Sequence, residues 1–250
     1  MTSDPHAAHG FAPAYRQLRN AQKSSKGAPA YSLYVNRPLG RVLAAAAFQV
    51  RMTPDQVTLV SAACTFAGIA WLAAGSPTWL TGIGIALLLV LGYALDSADG
   101  QLARLRGGGS LSGEWLDHMF DAGKNSAVHL AVLVIAFRHF DLPDLTLLLV
   151  PMVFTVATTV SFFGMILNDA MTRHRGAATP VADRTGAKVA LLRLLKIPAD
   201  YGVLCLIFLT LGAPLLFFTL YTALAAGTTG YVALAVLKWY RDMRALDVRS

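Results

Sequence analysis

Apolar residues gather along most of this chain into runs broken by short polar stretches. Six of these runs, at roughly 56–75, 79–95, 117–137, 145–168, 201–213 and 215–237, approach the ~20 residues that a bilayer-crossing helix requires. Their predominantly apolar make-up suits helices bathed in lipid, where every backbone N–H and C=O must be paired within the segment. The fifth run is the shortest, because Pro214 follows Gly212 almost at once. Its helix is expected to begin earlier, near Ala190, and to bend at Pro198. Ahead of the first run, residues 31–50 mix aromatic, aliphatic and basic side chains (Tyr31, Tyr34, Arg37, Leu39, Arg41, Leu43, Phe48), the pattern of an amphipathic helix lying in the interface. Pro38 can start such a helix and would kink one already running. Residues 1–30 have no periodicity and are expected to form a mobile basic segment, and residues 241–250 a cytoplasmic tail.

Composition agrees with this pattern. The 250 residues are 55% hydrophobic and 14% charged, with a mean hydropathy of +0.52, more apolar than a soluble core of this size requires. The expected architecture is therefore an all-α integral membrane protein, with six transmembrane helices forming one domain over residues 51–240. Cys64 and Cys205 sit in apolar runs without metal-ligand spacing and read as small packing residues, so neither a disulfide framework nor redox chemistry is expected. No cleavable leader is expected, since residues 1–30 lack a central apolar stretch.

A net charge of +7 could point to nucleic acid, but the placement of the cations explains it otherwise. Seven Lys and Arg precede the first run, two lie in the 96–116 break, six between 169 and 200, and four from 238 onward. All of these fall on one side of the membrane if the runs alternate direction; only Arg138 lies outside a run on the other side, and Lys124 lies within the third run. By the positive-inside rule both termini and the 96–116 break face the cytoplasm, in a multi-pass protein of the cell membrane with no nucleic-acid partner.

The cytoplasmic break between the second and third runs holds the most informative pattern in the chain: Asp96-x2-Asp99-Gly100-x2-Ala103-Arg104-x8-Gly113-x3-Asp117-x3-Asp121. Residues three or four apart share a helix face, so Asp96 and Asp99 project together from the end of one helix, and Asp117 and Asp121 from the start of the next. A turn through Gly107, Gly108, Gly109 and Ser110 lets the two helices run antiparallel and brings both pairs together. Carboxylates converging at a membrane boundary repel one another unless cations lie between them. Hard oxygen ligands suit Mg2+ or Mn2+ better than zinc. A pair of such ions can hold a pyrophosphate, Arg104 can bridge to phosphate oxygens, and the small residues Gly100, Ala103 and Gly113 leave room for a base and ribose.

The string from Asp96 to Asp121 resembles the signature of the CDP-alcohol phosphotransferase (CDP-alcohol phosphatidyltransferase) family, with every fixed position filled. The resemblance extends upstream to Thr53-Pro54-Asp55-Gln56-Val57-Thr58. It implies that Asp96, Asp99, Asp117 and Asp121 hold two Mg2+ ions, for which Mn2+ can substitute, and that Asp121 is also the base that takes the proton of the acceptor hydroxyl. It implies further that Gly100, Ala103, Arg104 and Gly113 hold the cytidine diphosphate group, with Asp55, Thr58 and Ser110 lining the same pocket. The acceptor hydroxyl then attacks the phosphorus distal to cytidine and CMP leaves, in phospholipid biosynthesis. A homodimer is implied as well. An ion-transport site is the remote alternative for acids in a membrane, but it gives the fixed Gly, Ala and Arg no purpose.

Which half of the product is lipid stays open in these residues. The run Arg106-Gly107-Gly108-Gly109-Ser110 is similar to phosphatidylinositol phosphate synthases, implying CDP-diacylglycerol as donor and a small alcohol, phosphorylated in such enzymes, as acceptor. Transfer from a soluble CDP-alcohol to a lipid or polyol is the alternative: Lys124 and Asn125 stand where those synthases tend to place arginine, Asp117-His118 is similar to choline and ethanolamine phosphotransferases, and the stretch Tyr34-Val35-Asn36-Arg37-Pro38 resembles relatives that join inositol phosphates. His118 and Glu114 are expected to be surface or supporting residues. The basic stretch Arg173, His174, Arg175, Arg184, Lys188, Arg193, Lys196 reads either as topology with headgroup contact or as a pocket for an acceptor phosphate, in which Arg193 and Lys196 would share one helix face.

Overall fold

A computed structural model describes residues 10–20, 29–175 and 197–247; these are helical, with no strand among them. The elements are α1 (Phe11–Asn20), a π-helical turn (Ser32–Asn36) leading into α2 (Arg37–Gln49), α3 (Pro54–Ala74), α4 (Trp79–Leu105) and α5 (Leu111–His139). A 3-10 turn (Leu145–Leu148) then leads into α6 (Leu149–His174), and α7 (Tyr201–Ile207), extended by a second 3-10 turn (Phe208–Thr210), precedes α8 (Pro214–Asp247).

Side-chain caps fix where the helices begin. Thr53 Oγ1 accepts from the Gln56 N–H at 3.2 Å while Gln56 Oε1 accepts from the Thr53 N–H at 2.9 Å. This reciprocal box, with Pro54 in the first turn, sets the start of α3. Ser110 Oγ accepts from the Gly113 N–H at 3.0 Å and starts α5 only a few residues after α4 ends. The reversal between them runs through Gly107 (φ +96°) and Gly108 (φ +139°), where a Cβ is strained whatever the space around it. Gly108→Ala is accordingly expected to cost ~1–2 kcal/mol, read as a lower midpoint of thermal unfolding in detergent.

Among the described residues, five helices are long and apolar enough to cross a membrane: Pro54–Ala74, Trp79–Leu105, Leu111–His139, Leu145–His174 and Pro214–Leu246. Their outward faces leave Leu80, Leu87, Leu130, Phe137, Val156 and Phe163 exposed, as a lipid-facing surface requires. Between the helices, Leu72, Ile85, Leu89, Val132, Ile135, Phe154, Phe208, Phe217 and Tyr221 form the main buried cluster.

One expectation is met in part among the described residues, and another changes. The fifth crossing is present among the described residues only as the short helix Tyr201–Thr210, which at ~1.5 Å per residue is too short to span a bilayer alone. Asp200 caps its start by accepting from the Gly202 N–H at 3.2 Å, and the expected start near Ala190 lies outside the described residues. Six full crossings are thus not what the described residues form. In addition, part of the segment expected to be without regular structure is helix α1, whose Ala14 and Leu18, four apart, are buried with Ala44, Ala45 and Leu102. One helical repeat is too short a signal to stand out in a polar sequence.

The π-turn and α2 lie along the end of α4 that carries the aspartates. Gly40 makes the approach possible, since a Cβ there would stand 2.7 Å from Ser97 Oγ, and Gln101 Nε2 donates to the Arg37 carbonyl at 3.1 Å. At the other end of this segment the Tyr31 N–H donates to Asp200 Oδ2 at 2.9 Å, tying it to the start of α7. Burial pushes the Asp200 carboxyl above its ordinary value, and the backbone N–H groups of Gly202, Tyr31 and Ser32 oppose that rise by favouring the charged form. The Tyr31, Tyr93 and Tyr201 rings pack in series at the same place, with centroids 6.2 Å and 5.2 Å apart.

Candidate active site

Helix α4 runs ten residues beyond the apolar stretch expected at 79–95, so that Asp96, Asp99, Gly100, Ala103 and Arg104 all ride on its last three turns. Helix α5 returns antiparallel with Gly113, Asp117 and Asp121 on its first three turns. Between the two helices and the start of α3 lies a cavity of about 560 Å³. Its walls include every residue expected to meet the nucleotide: Asp55, Thr58, Gly100, Ala103, Arg104, Ser110 and Gly113. Asp99 and Asp117 line it as well.

The four aspartates converge, but not on equal terms. Asp99, only 6% exposed, has both oxygens engaged: Thr58 Oγ1 donates to Oδ2 at 2.6 Å and the Gly100 N–H donates to Oδ1. Its carboxylate is therefore fixed in orientation from both sides. Asp96 and Asp121 do not line the cavity; they meet across the Lys124 ammonium, which lies 2.9 Å from Asp96 Oδ1 and 2.5 Å from Asp121 Oδ1. Ligand atoms of Asp117, His118 and Asp121 lie within 4.8 Å of one another, close enough to share one cation.

The small residues work in different ways. A Cβ on Gly113 would stand 2.9 Å from Asp55 Oδ1 and 3.1 Å from Ser110 Oγ, so glycine is what lets the Asp55 carboxylate reach the first turn of α5. A Cβ on Gly100 would meet only Arg104 Nη1, at 3.6 Å, an ordinary contact. Gly100→Ala should then fold with an unchanged thermal midpoint while its methyl takes space in the cavity wall. The expected result is a donor KM about tenfold higher, the scale of one misplaced methyl group in a binding pocket.

Three residues carry more here than their sequence positions suggested. Glu114 lines the cavity and pairs with Arg173 at 3.5 Å, Arg173 being held also by Asp169 at 2.9 Å. His118 joins the acidic cluster. Lys124, which had stood out only as a departure from related enzymes, is the centre of the Asp96–Asp121 contact; its i+3 spacing from Asp121 was the available signal. Of the basic stretch, Arg184, Lys188, Arg193 and Lys196 lie outside the described residues.

A family model for CDP-alcohol phosphatidyltransferases matches residues 51–239. The chain belongs to that family. No curated protein matches the chain. Among solved structures, it is similar to Mycobacterium tuberculosis phosphatidylinositol phosphate synthase with CDP-DAG bound, with a TM-score of 0.55 and 21% identity over 82% of this chain and 94% of that one. The two share a fold. As a CDP-alcohol phosphatidyltransferase the protein is a membrane enzyme that transfers substituted phosphate groups. The family is metal-dependent, and the donor set around Asp117 and Asp121, carboxylate oxygens with one imidazole and no thiolate, suits a hard divalent ion.

Proposed function

We propose that this enzyme transfers a phosphatidyl group from CDP-diacylglycerol to the hydroxyl of a small polar alcohol and releases CMP. The observation that carries this reading is the cavity at the α3–α4–α5 junction, whose walls bring Asp55, Thr58, Gly100, Arg104 and Gly113 together with Asp99 and Asp117. The solved relative has CDP-DAG bound, which supports the lipid-linked donor.

In this reading Asp55, Thr58, Ala103, Ser110 and Gly113 shape the seat for the cytidine and ribose. Arg104 offers a planar pair of donors to the phosphate oxygens. Asp96, Asp99, Asp117 and Asp121 hold two Mg2+ ions, exchangeable for Mn2+, with His118 close enough to assist; when bound, the ions neutralise charge on the pyrophosphate. Thr58 and the Gly100 N–H keep Asp99 from turning away from the cavity. Asp121 takes the proton of the acceptor hydroxyl as its oxygen bonds to the phosphorus distal to cytidine. The bond from that phosphorus to the bridging oxygen breaks, and CMP departs with the electron pair, in the manner of other in-line phosphoryl transfers.

The cations of both termini and of the 96–116 and 169–200 stretches support an active site facing the cytoplasm in the cell membrane. The likeness to a phosphatidylinositol phosphate synthase supports a phosphorylated acceptor; the cationic charge of the basic stretch beginning at Arg173 suits such a phosphate, and a homodimer is what the family resemblance implies. The test is release of CMP by purified protein in Mg2+ from CDP-diacylglycerol, offered inositol phosphate, glycerol phosphate or serine. Parallel reactions with CDP-inositol, CDP-choline or CDP-ethanolamine and lipid or polyol acceptors address the reverse division of labour. CMP from none of these donors would overturn the reading.

A further inference from the structure

Lys124 is a buried cation, 9% exposed, whose ammonium contacts the two aspartates that do not line the nucleotide cavity. It reaches them from α5, one turn after Asp121, and the Tyr201 ring of α7 closes over it with its centroid 5.6 Å from Nζ. Tyr201 is backed in turn by Tyr93, 5.2 Å away between centroids. The aspartates are thereby divided. Asp99 and Asp117 face the cavity, and Asp96 and Asp121 are drawn together by a cation that belongs to the chain itself.

We propose that Lys124 is a built-in counter-ion that shares Asp96 and Asp121 with the divalent metal, weakening metal binding and holding the acidic cluster together when the metal leaves. This rests on the metal-centre reading of the site and adds to it a residue that sets how tightly the metal is held. The physics is competitive: an ammonium within hydrogen-bond distance of a carboxylate oxygen occupies one of its lone pairs and repels a second cation placed nearby. The same contact offsets the repulsion between Asp96 and Asp121 in the metal-free protein, which would otherwise leave like charges together in a poorly hydrated site. Asp99 is held instead by a hydroxyl and an amide. The consequence is an enzyme that stays folded between turnovers without metal and takes up its ions in the range where their concentration matters.

The experiment is Mn2+ binding to detergent-purified wild type, Lys124→Met and Lys124→Gln, measured by calorimetry and by the loss of the free-ion electron paramagnetic resonance signal, with thermal unfolding recorded with and without metal. No nucleotide or turnover is required. Removal of the ammonium is expected to tighten Mn2+ binding about tenfold, to lower the unfolding midpoint of the metal-free protein and to enlarge the upward shift that Mn2+ produces. Lys124→Arg, which keeps the charge, is expected to bind Mn2+ as weakly as wild type. Wild type that binds Mn2+ while the Met and Gln variants bind it equally or more weakly would overturn the role of Lys124 and leave the metal centre standing. Absence of Mn2+ binding in wild type and variants alike would overturn both. The Gln variant keeps length and polarity and decides the matter if the Met variant does not fold.

Discussion

Asp121→Asn is expected to abolish release of CMP from CDP-diacylglycerol while leaving donor binding measurable. Asparagine matches aspartate in shape and keeps one oxygen, so the cavity, which Asp121 does not line, should persist. What is lost is the group that accepts the hydroxyl proton, a contribution of ~10²–10⁴ in rate for a positioned base. The Lys124 ammonium, 2.5 Å from Asp121 Oδ1, also loses half of its anionic company, and a modest fall in thermal midpoint should accompany the loss of turnover. Binding of a CDP-linked donor by calorimetry beside a CMP-release assay separates the two effects. Retention of full turnover in this variant would remove Asp121 from the base role.

Removal of divalent ions should have an effect of similar size and be reversible. Dialysis against a chelator is expected to reduce CMP release to background, and Mg2+ or Mn2+ to restore it, with Zn2+ ineffective because the ligands are mainly hard carboxylate oxygens. Without the ions, donor phosphates would face Asp99 and Asp117 across the cavity with only Arg104 and Arg106 among its lining residues to offset the charge. Donor affinity should therefore fall together with rate, whereas in Asp121→Asn rate alone falls steeply. Unchanged CMP release after chelation, checked by residual metal analysis, would contradict the metal-centre reading.

Much of this was legible in the sequence because the information is local. The Asp96–Asp121 spacing needs only helical periodicity and a tight turn to bring the acids together, and Ser110, Gly107 and Gly108 provide that turn. The apolar runs are likewise short-range signals. The rest depends on which distant segments meet. Lys124 looked like an isolated charge in an apolar run, and nothing near it in the chain shows that Tyr201 closes over it or that Asp96 comes within 2.9 Å. The shortness of the fifth run is plain in the sequence from Pro214, but the role of Asp200 is not: only the fold shows it capping Gly202 and so marking the start of α7. Helix α1 escaped notice because its apolar face is only Ala14 and Leu18, and one of the residues that bury them, Leu102, comes from an element far along the chain.

The bond between the Tyr31 amide and Asp200 spans 169 residues, and Gly202 leaves just the room that the Tyr31 ring fills. On the ribosome, the segment leading into α2 emerges early and must wait, its ring without a seat, until nearly the whole chain has followed it. Completion of the site's surroundings therefore waits on the last fifth of the chain: an unfinished polypeptide can possess Asp96, Asp99, Asp117 and Asp121 and still lack the latch that seats Tyr31.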